Sequence, residues 1–432
     1  MRLGALTAVV CVVALAGCRC RAPTPEQEAQ RYLTDARFRR AAMEASLVNP
    51  KNIYSRQRLD AYGLETRGWD LLPEWNPRSI QVGAAQRAQL ERGASPELDD
   101  ATAPLWDGAT PTSREGWLAL GQQVFFRYPL RSEPLAAFAL SQPELAEQVG
   151  LERSSDGTYP GLVLFRDVDG VTRVGLTCAL CHSAHEHGAL VVGAARRHFD
   201  YGKLRLAHRD QSSATIEPGL AARLARWGPG RADVTEDDDE DPVAIPDLWG
   251  LASQEALTQA GTIAQASPVA LALRQETQLL QSNHERVRPP RVLAWALAQY
   301  VLSLTPPPGP AHPPSPRGEA LFDRGCRSCH SNAAFGGKPV DASAVGTDLA
   351  LAKGRARGTG LYRPPALLRV RQAAPYLHHG AVSTLEELFS PARLEPGYLG
   401  SPLGPGPVPG HRWGTDWSAD DRAALIAYLD TL

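Results

Sequence analysis

Cys178-Ala179-Leu180-Cys181-His182 and Cys326-Arg327-Ser328-Cys329-His330 decide the reading of this chain. Cys-x-x-Cys-His is spaced for covalent haem attachment: two thiols add across the haem vinyls, and the adjacent imidazole reaches the iron as proximal ligand. Two copies imply two covalently bound haem c groups. Cys178, Cys181, Cys326 and Cys329 would carry the thioethers, with His182 and His330 as iron ligands. The competing reading, two redox or zinc Cys-x-x-Cys pairs, is poorly served, because structural zinc wants four ligands and no further Cys lies in reach of either pair. The other three cysteines, Cys11, Cys18 and Cys20, crowd the N-terminus.

At 432 residues the chain is long enough for two or three domains. Its 45 Lys and Arg nearly cancel 47 Asp and Glu, and no basic stripe stands out, so nucleic acid is excluded as a partner. With 38 Gly and 36 Pro, long shaped loops between modest helices are expected. Arg2 precedes an uncharged run from Leu3 to Ala16, too short to span a bilayer and right for a signal peptide. Leu15-Ala16-Gly17-Cys18 resembles the lipobox of bacterial lipoproteins. That resemblance implies removal of residues 1–17 and diacylglycerol on the Cys18 thiol. The protein would then be held by lipid alone on the periplasmic side of a bacterial membrane, the outer in preference to the inner. Two or more acyl chains anchor stably where one does not.

A weak internal repeat organises the rest. Trp295-Ala296-Leu297-Ala298-Gln299-Tyr300-Val301-Leu302-Ser303-Leu304 reads like Ala423-Ala424-Leu425-Ile426-Ala427-Tyr428-Leu429-Asp430-Thr431-Leu432, each segment downstream of a haem motif. Both are amphipathic at helical spacing, and Ser418 with Asp421 gives the second a cap. Ahead of the motifs, Gly121 and Phe125 match Gly318 and Phe322. This order resembles class I cytochrome c domains, in which glycine lets an opening and a closing helix cross closely while the aromatic packs on the haem side. The expected fold is mainly α, two cytochrome c-like haem lobes with long irregular loops. The divisions are a signal peptide (1–17), an N-terminal extension (18–115), a first haem domain (116–304), a Pro-rich linker (305–317) and a second haem domain (318–432). In the extension, Thr24-Pro25-Glu26-Gln27 reads as a capped helix start. Ala29, Tyr32, Leu33, Ala36, Met43 and Leu47 form one apolar stripe. The Trp/Pro-rich stretch around Trp69, Pro73, Trp75 and Pro77 is expected to pack as irregular coil.

The ligand opposite each proximal imidazole decides the chemistry. Once the signal peptide is removed, Met43 is the only methionine, and it sits on the apolar stripe, so His/Met ligation is disfavoured and His/His or an open site remains. Gly358-Thr359-Gly360-Leu361-Tyr362-Arg363-Pro364-Pro365-Ala366-Leu367-Leu368-Arg369-Val370 leads to Ala374-Pro375-Tyr376-Leu377-His378-His379-Gly380 and then Ser383-Thr384-Leu385-Glu386-Glu387-Leu388. This block resembles bacterial di-haem cytochrome c peroxidases and their relatives, which include the enzyme that matures tryptophan-derived quinone cofactors and the di-haem rubber oxygenases. The resemblance covers the last 115 residues or so, and the first domain mainly through its haem motif and closing helix. It implies that one haem relays electrons while the other meets peroxide or dioxygen. His378 matches the family's motif His, whereas His379 stands where Asp or Asn is usual.

Further site residues follow from the same resemblance. Pro409-Gly410-His411-Arg412-Trp413-Gly414-Thr415 resembles the Gly-His-x-x-Gly-Thr segment of the rubber-oxygenase relatives, whose His completes a bis-His haem. It implies His411 as distal ligand of the second haem, with His378 as the substitute. At the first haem, His198 is placed like the displaceable distal His of the peroxidases and is the candidate catalytic residue; His185 and His187 follow His182 too closely to reach the opposite face. Glu276 and His284 are acid/base candidates whose ordinary place is on a solvated helix. The acidic run Glu236–Asp241 is a candidate calcium site between the lobes, against a solvated loop as the default. Trp249 and Trp295 are candidates for an electron relay, against a core role. Three functions stay open: a peroxidase-like oxidoreductase, a pure electron-transfer di-haem cytochrome, and a di-haem oxygenase of apolar substrates. The first leads, with a small periplasmic cytochrome or cupredoxin as electron partner and a small oxidant such as peroxide.

Overall fold

A computed structural model describes residues 24–130, 134–211, 218–233, 241–309 and 311–432. Cys18 and its signal peptide lie outside the described residues, as does all of the acidic run except Asp241. The chain is mainly helical. Among the described residues no helix is long and apolar enough to cross a membrane.

Two helix crossings frame the molecule. Helix Arg114–Arg127 crosses Arg291–Ser303, and helix Pro316–Gly325 crosses Ala419–Leu429. Each crossing turns on one glycine. A Cβ on Gly121 would stand 2.1 Å from the Ala296 carbonyl oxygen, and one on Gly318 2.0 Å from that of Ala424. Beside them the rings of Phe125 and Tyr300 meet at 5.6 Å, and those of Phe322 and Tyr428 at 5.4 Å. Ser418 caps the last helix by accepting from the Asp421 N–H at 3.1 Å.

The extension packs as a helical layer. Thr24 and Gln27 form a reciprocal cap on Pro25–Thr34, followed by Ala36–Ser46 and Ile53–Ala61. Met43 is buried with Tyr32, Tyr54 and Tyr62 against Pro268–Ser282 and Arg291–Ser303, and the Tyr32 ring lies 5.5 Å from that of Trp295. The layer also reaches the C-terminal half: the N–H groups of Ile53 and Tyr54 donate to the carbonyls of Arg355 and Ala356, and Asn49 and Asn52 both donate to Gly358.

After a short helical turn, Gly68–Leu71, the Trp/Pro-rich stretch runs as irregular coil to Pro77, and a strand follows directly. Ser79–Gln81 forms the edge of an antiparallel sheet with Leu162–Arg166 and Thr172–Leu176, pairing Ile80 with Leu164 and Leu164 with Val174. Trp75 wedges against Tyr128 and Phe165, so the aromatic spacing serves packing onto this sheet. The period-two pattern of such short strands is lost among the neighbouring apolar residues.

Candidate haem sites

Each Cys-x-x-Cys-His motif makes a tight helical turn that fixes one face of its imidazole. In the second, the N–H of His330 donates to the Cys326 carbonyl, and its Nδ1–H donates to the Phe335 carbonyl at 2.7 Å. In the first, helix Cys178–His182 holds His182 with Nδ1 3.1 Å from the Pro246 carbonyl. A carbonyl can only accept, so both rings carry a proton on Nδ1; the His330 ring also meets the Pro365 carbonyl. A proton on Nδ1 is what a metal-ligating His needs, and the backbone carbonyl supplies its orientation. Burial holds His182 uncharged, with its pKa down to about 4, and lowers that of His330 as well.

The four motif cysteines are unpaired and half-buried. Burial pushes the Cys178 thiol up to about 12 and those of Cys181 and Cys326 to about 11. Redox-active cysteines are favoured by the opposite, a depressed pKa, so burial of these three thiols weighs against thiol exchange.

An apolar cavity lies over the second motif, walled by Phe322, Val345, Leu367, Leu388 and Leu429, and both His330 and His411 line it. His411 has a left-handed backbone, φ 46°, and its N–H donates to the Val345 carbonyl at 2.9 Å. Burial, then the nearby His330 and Arg393, brings its pKa to about 4. Its Nδ1 is buried with no hydrogen-bond partner. An orphaned imidazole nitrogen in an apolar cavity that also holds a proximal-type His fits a metal-bound prosthetic group.

His378 also lines the cavity, but its ring is engaged. It stacks on Tyr362 at 4.3 Å, and its Nε2 lies 3.1 Å from the Tyr362 hydroxyl, which itself donates to the Asp348 carbonyl. His379 accepts from the Ala381 N–H through Nδ1 at 3.2 Å, supporting the bend of its own loop.

The first site is built differently. His185 is tied to Glu152 at 3.0 Å and Ser154 at 3.1 Å. His187 and His198 are exposed. Among the described residues none of the three makes a hydrogen bond or ring contact with His182. His198 instead lends its carbonyl to a close approach by Gly150. The charge of Arg274 acts on both Cys178 and His182.

Trp249 joins the two regions. It lines the second cavity while its Nε1–H donates to the Val192 carbonyl, and it lies against Gly193, whose N–H donates to the His182 carbonyl. Arg369 stacks over its indole at 5.3 Å and pairs with Glu186 at 2.6 Å. Trp295 sits in the core.

Two acid/base candidates separate. His284 is an exposed loop residue. Glu276 is not a solvated helix residue: it is 1% exposed, accepts from the Tyr32 and Tyr62 hydroxyls at 2.7 and 2.6 Å, and pairs with Arg291 at 3.1 Å. Its partners lie far away in sequence, which is why helix periodicity left it looking solvated. Arg393 escaped the sequence reading too, a buried cation with no motif to flag it.

No protein-family model matches the chain, and no curated protein matches it. One solved structure, of a MauG-like protein associated with microbial copper homeostasis, overlaps 48% of this chain and 79% of its own at 19% identity and a TM-score of 0.34. An overlap that slight carries neither fold nor function.

Proposed function

We propose that this chain is an exported di-haem c-type cytochrome with peroxidase-like oxidoreductase activity. One observation carries the reading: two motifs share one proximal geometry but have unlike opposite sides. His330 shares an apolar cavity with His411, whose Nδ1 has no hydrogen-bond partner, whereas no imidazole contacts His182 among the described residues. Bound haem would supply one-electron redox chemistry at both sites. His330 and His411 would hold one iron closed and suited to electron relay. His182 would hold the other with a free face for peroxide or dioxygen. Trp249, bonded into one region and lining the other, would keep the two in close contact. A small cytochrome or cupredoxin would deliver electrons, and lipid on Cys18 would keep the protein at the periplasmic face of the membrane. The test is ligand binding by the half-reduced holoprotein. Cyanide or carbon monoxide should bind one haem, and peroxide should be reduced at the expense of a reduced donor. If neither haem binds an added ligand in any redox state, the pure electron-carrier reading replaces this one.

A further inference from the structure

Arg393 belongs to no motif, yet it is fully buried. It sits in a short helical turn, Pro391–Leu394, that Ser390 caps. Its guanidinium bonds only backbone carbonyls: Nε donates to Leu388 at 2.9 Å, Nη1 to Val408 at 2.5 Å, and Nη2 to Gly410 and His411 at 2.8 Å each. Its own carbonyl accepts from the Val408 N–H at 2.7 Å. The charged groups acting on it are Tyr398 and Arg412, and among the described residues it makes no ion pair. A buried cation without a carboxylate is costly unless its hydrogen bonds are satisfied. Three of its four carbonyl partners lie on one stretch, residues 408–411.

That stretch needs holding. Residues 395–411 run without helix or strand through five glycines and five prolines. At its end Gly410 and His411 both adopt left-handed backbone, with Gly410 so close to Thr347 that a Cβ would meet it at 2.5 Å. Left-handed backbone at a histidine persists only where the surroundings over-determine it. A planar fork bonded on both sides of the Gly410–His411 peptide does that, and lysine, a point donor, has no equivalent geometry.

We infer that Arg393 is a positioning residue for the second site: its fork fixes the peptide carbonyls of residues 408–411 and thereby aims the His411 ring into the cavity facing His330. The inference rests on the proposed role of His411 as iron ligand. The test uses the holoprotein and three variants, His411→Ala, Arg393→Gln and Arg393→Lys, read by the low-spin signal of the second haem in the visible and electron paramagnetic resonance spectra. His411→Ala should abolish that signal. Arg393→Gln should lower the low-spin to high-spin ratio at the second haem about tenfold or more, since several charge-assisted bonds are lost together. The first haem's spectrum and the attachment of both haems should not change, and added imidazole should restore the low-spin signal. Arg393→Lys should fall between and decides the matter if Arg393→Gln fails to accumulate as folded protein. Full low-spin signal in both Arg393 variants, with loss in His411→Ala, overturns the positioning role alone. An unchanged signal in His411→Ala overturns the ligand assignment and this inference with it.

Discussion

Replacing Gly121 with alanine tests whether the helix crossings hold this fold together. In an isolated helix the change would stabilise by up to about 1 kcal/mol, because alanine restricts the unfolded chain. Here the new methyl would stand 2.1 Å from the Ala296 carbonyl oxygen and 2.6 Å from the Tyr300 Cβ. Ordinary carbon–oxygen contacts begin near 3.3 Å, so the helices must part by about 1.2 Å. Overpacking of that kind costs about 1–3 kcal/mol, and loosening the Phe125–Tyr300 ring contact adds about 1 kcal/mol. The net expectation is about 2 kcal/mol of destabilisation, with a like effect for Gly318→Ala at Ala424. Gly397→Ala, with no neighbouring atom within 4 Å, is the control and should change stability by less than about 0.5 kcal/mol. Urea unfolding followed by circular dichroism supplies the midpoints. Midpoints for Gly121→Ala and Gly318→Ala at or above that of the parent protein would refute the close crossings.

Several other measurements bear on separate parts of the account. The denatured chain should carry the mass of two haems, and the double variant Cys326→Ala, Cys329→Ala should carry one; retention of both would break the link between motif and attachment. Glu276→Ala should destabilise by about 2–4 kcal/mol in thermal or urea unfolding, because it strands two buried phenols and leaves Arg291 with Asp70 alone, whereas Glu276→Gln should cost less. Equal, small effects would show that this network is solvated. Burial holds His378 near 3 and His379 near 4, below the ordinary 6.5, so the unfolded chain binds their protons first. Stability should therefore fall as pH drops below about 6.5, by about 1 kcal/mol per pH unit per ring after allowing for partial exposure, the His379 share levelling off near pH 4 and the His378 share near pH 3. A double His378→Asn, His379→Asn variant that keeps the same slope would assign the effect elsewhere.

The frame of this molecule was legible because it is written locally and twice. Gly121 and Gly318 stand at the same place relative to Phe125 and Phe322, and Ala296 and Tyr300 recur as Ala424 and Tyr428, so one reading of glycine's missing Cβ serves both crossings. The Thr24 and Ser418 caps were equally local. What could not be read depends on distant partners. The strand Ser79–Gln81 pairs with residues some eighty positions on, and Glu276 takes its hydroxyl donors from Tyr32 and Tyr62 across the whole first half. Arg393 was silent because its partners are backbone carbonyls, which no side-chain pattern encodes. Of the site histidines, His182 and His330 follow from their motifs. The contrast between His411, whose Nδ1 is orphaned, and His378, whose ring is occupied by Tyr362, emerges only in three dimensions.

The asymmetry between the two sites is the centre of the proposed function, and the electron paramagnetic resonance spectrum of the fully oxidised holoprotein tests it most directly. One low-spin and one high-spin ferric signal in equal amounts are expected, the low-spin signal from the haem between His330 and His411. Two low-spin signals, with neither altered by added cyanide, would contradict the account.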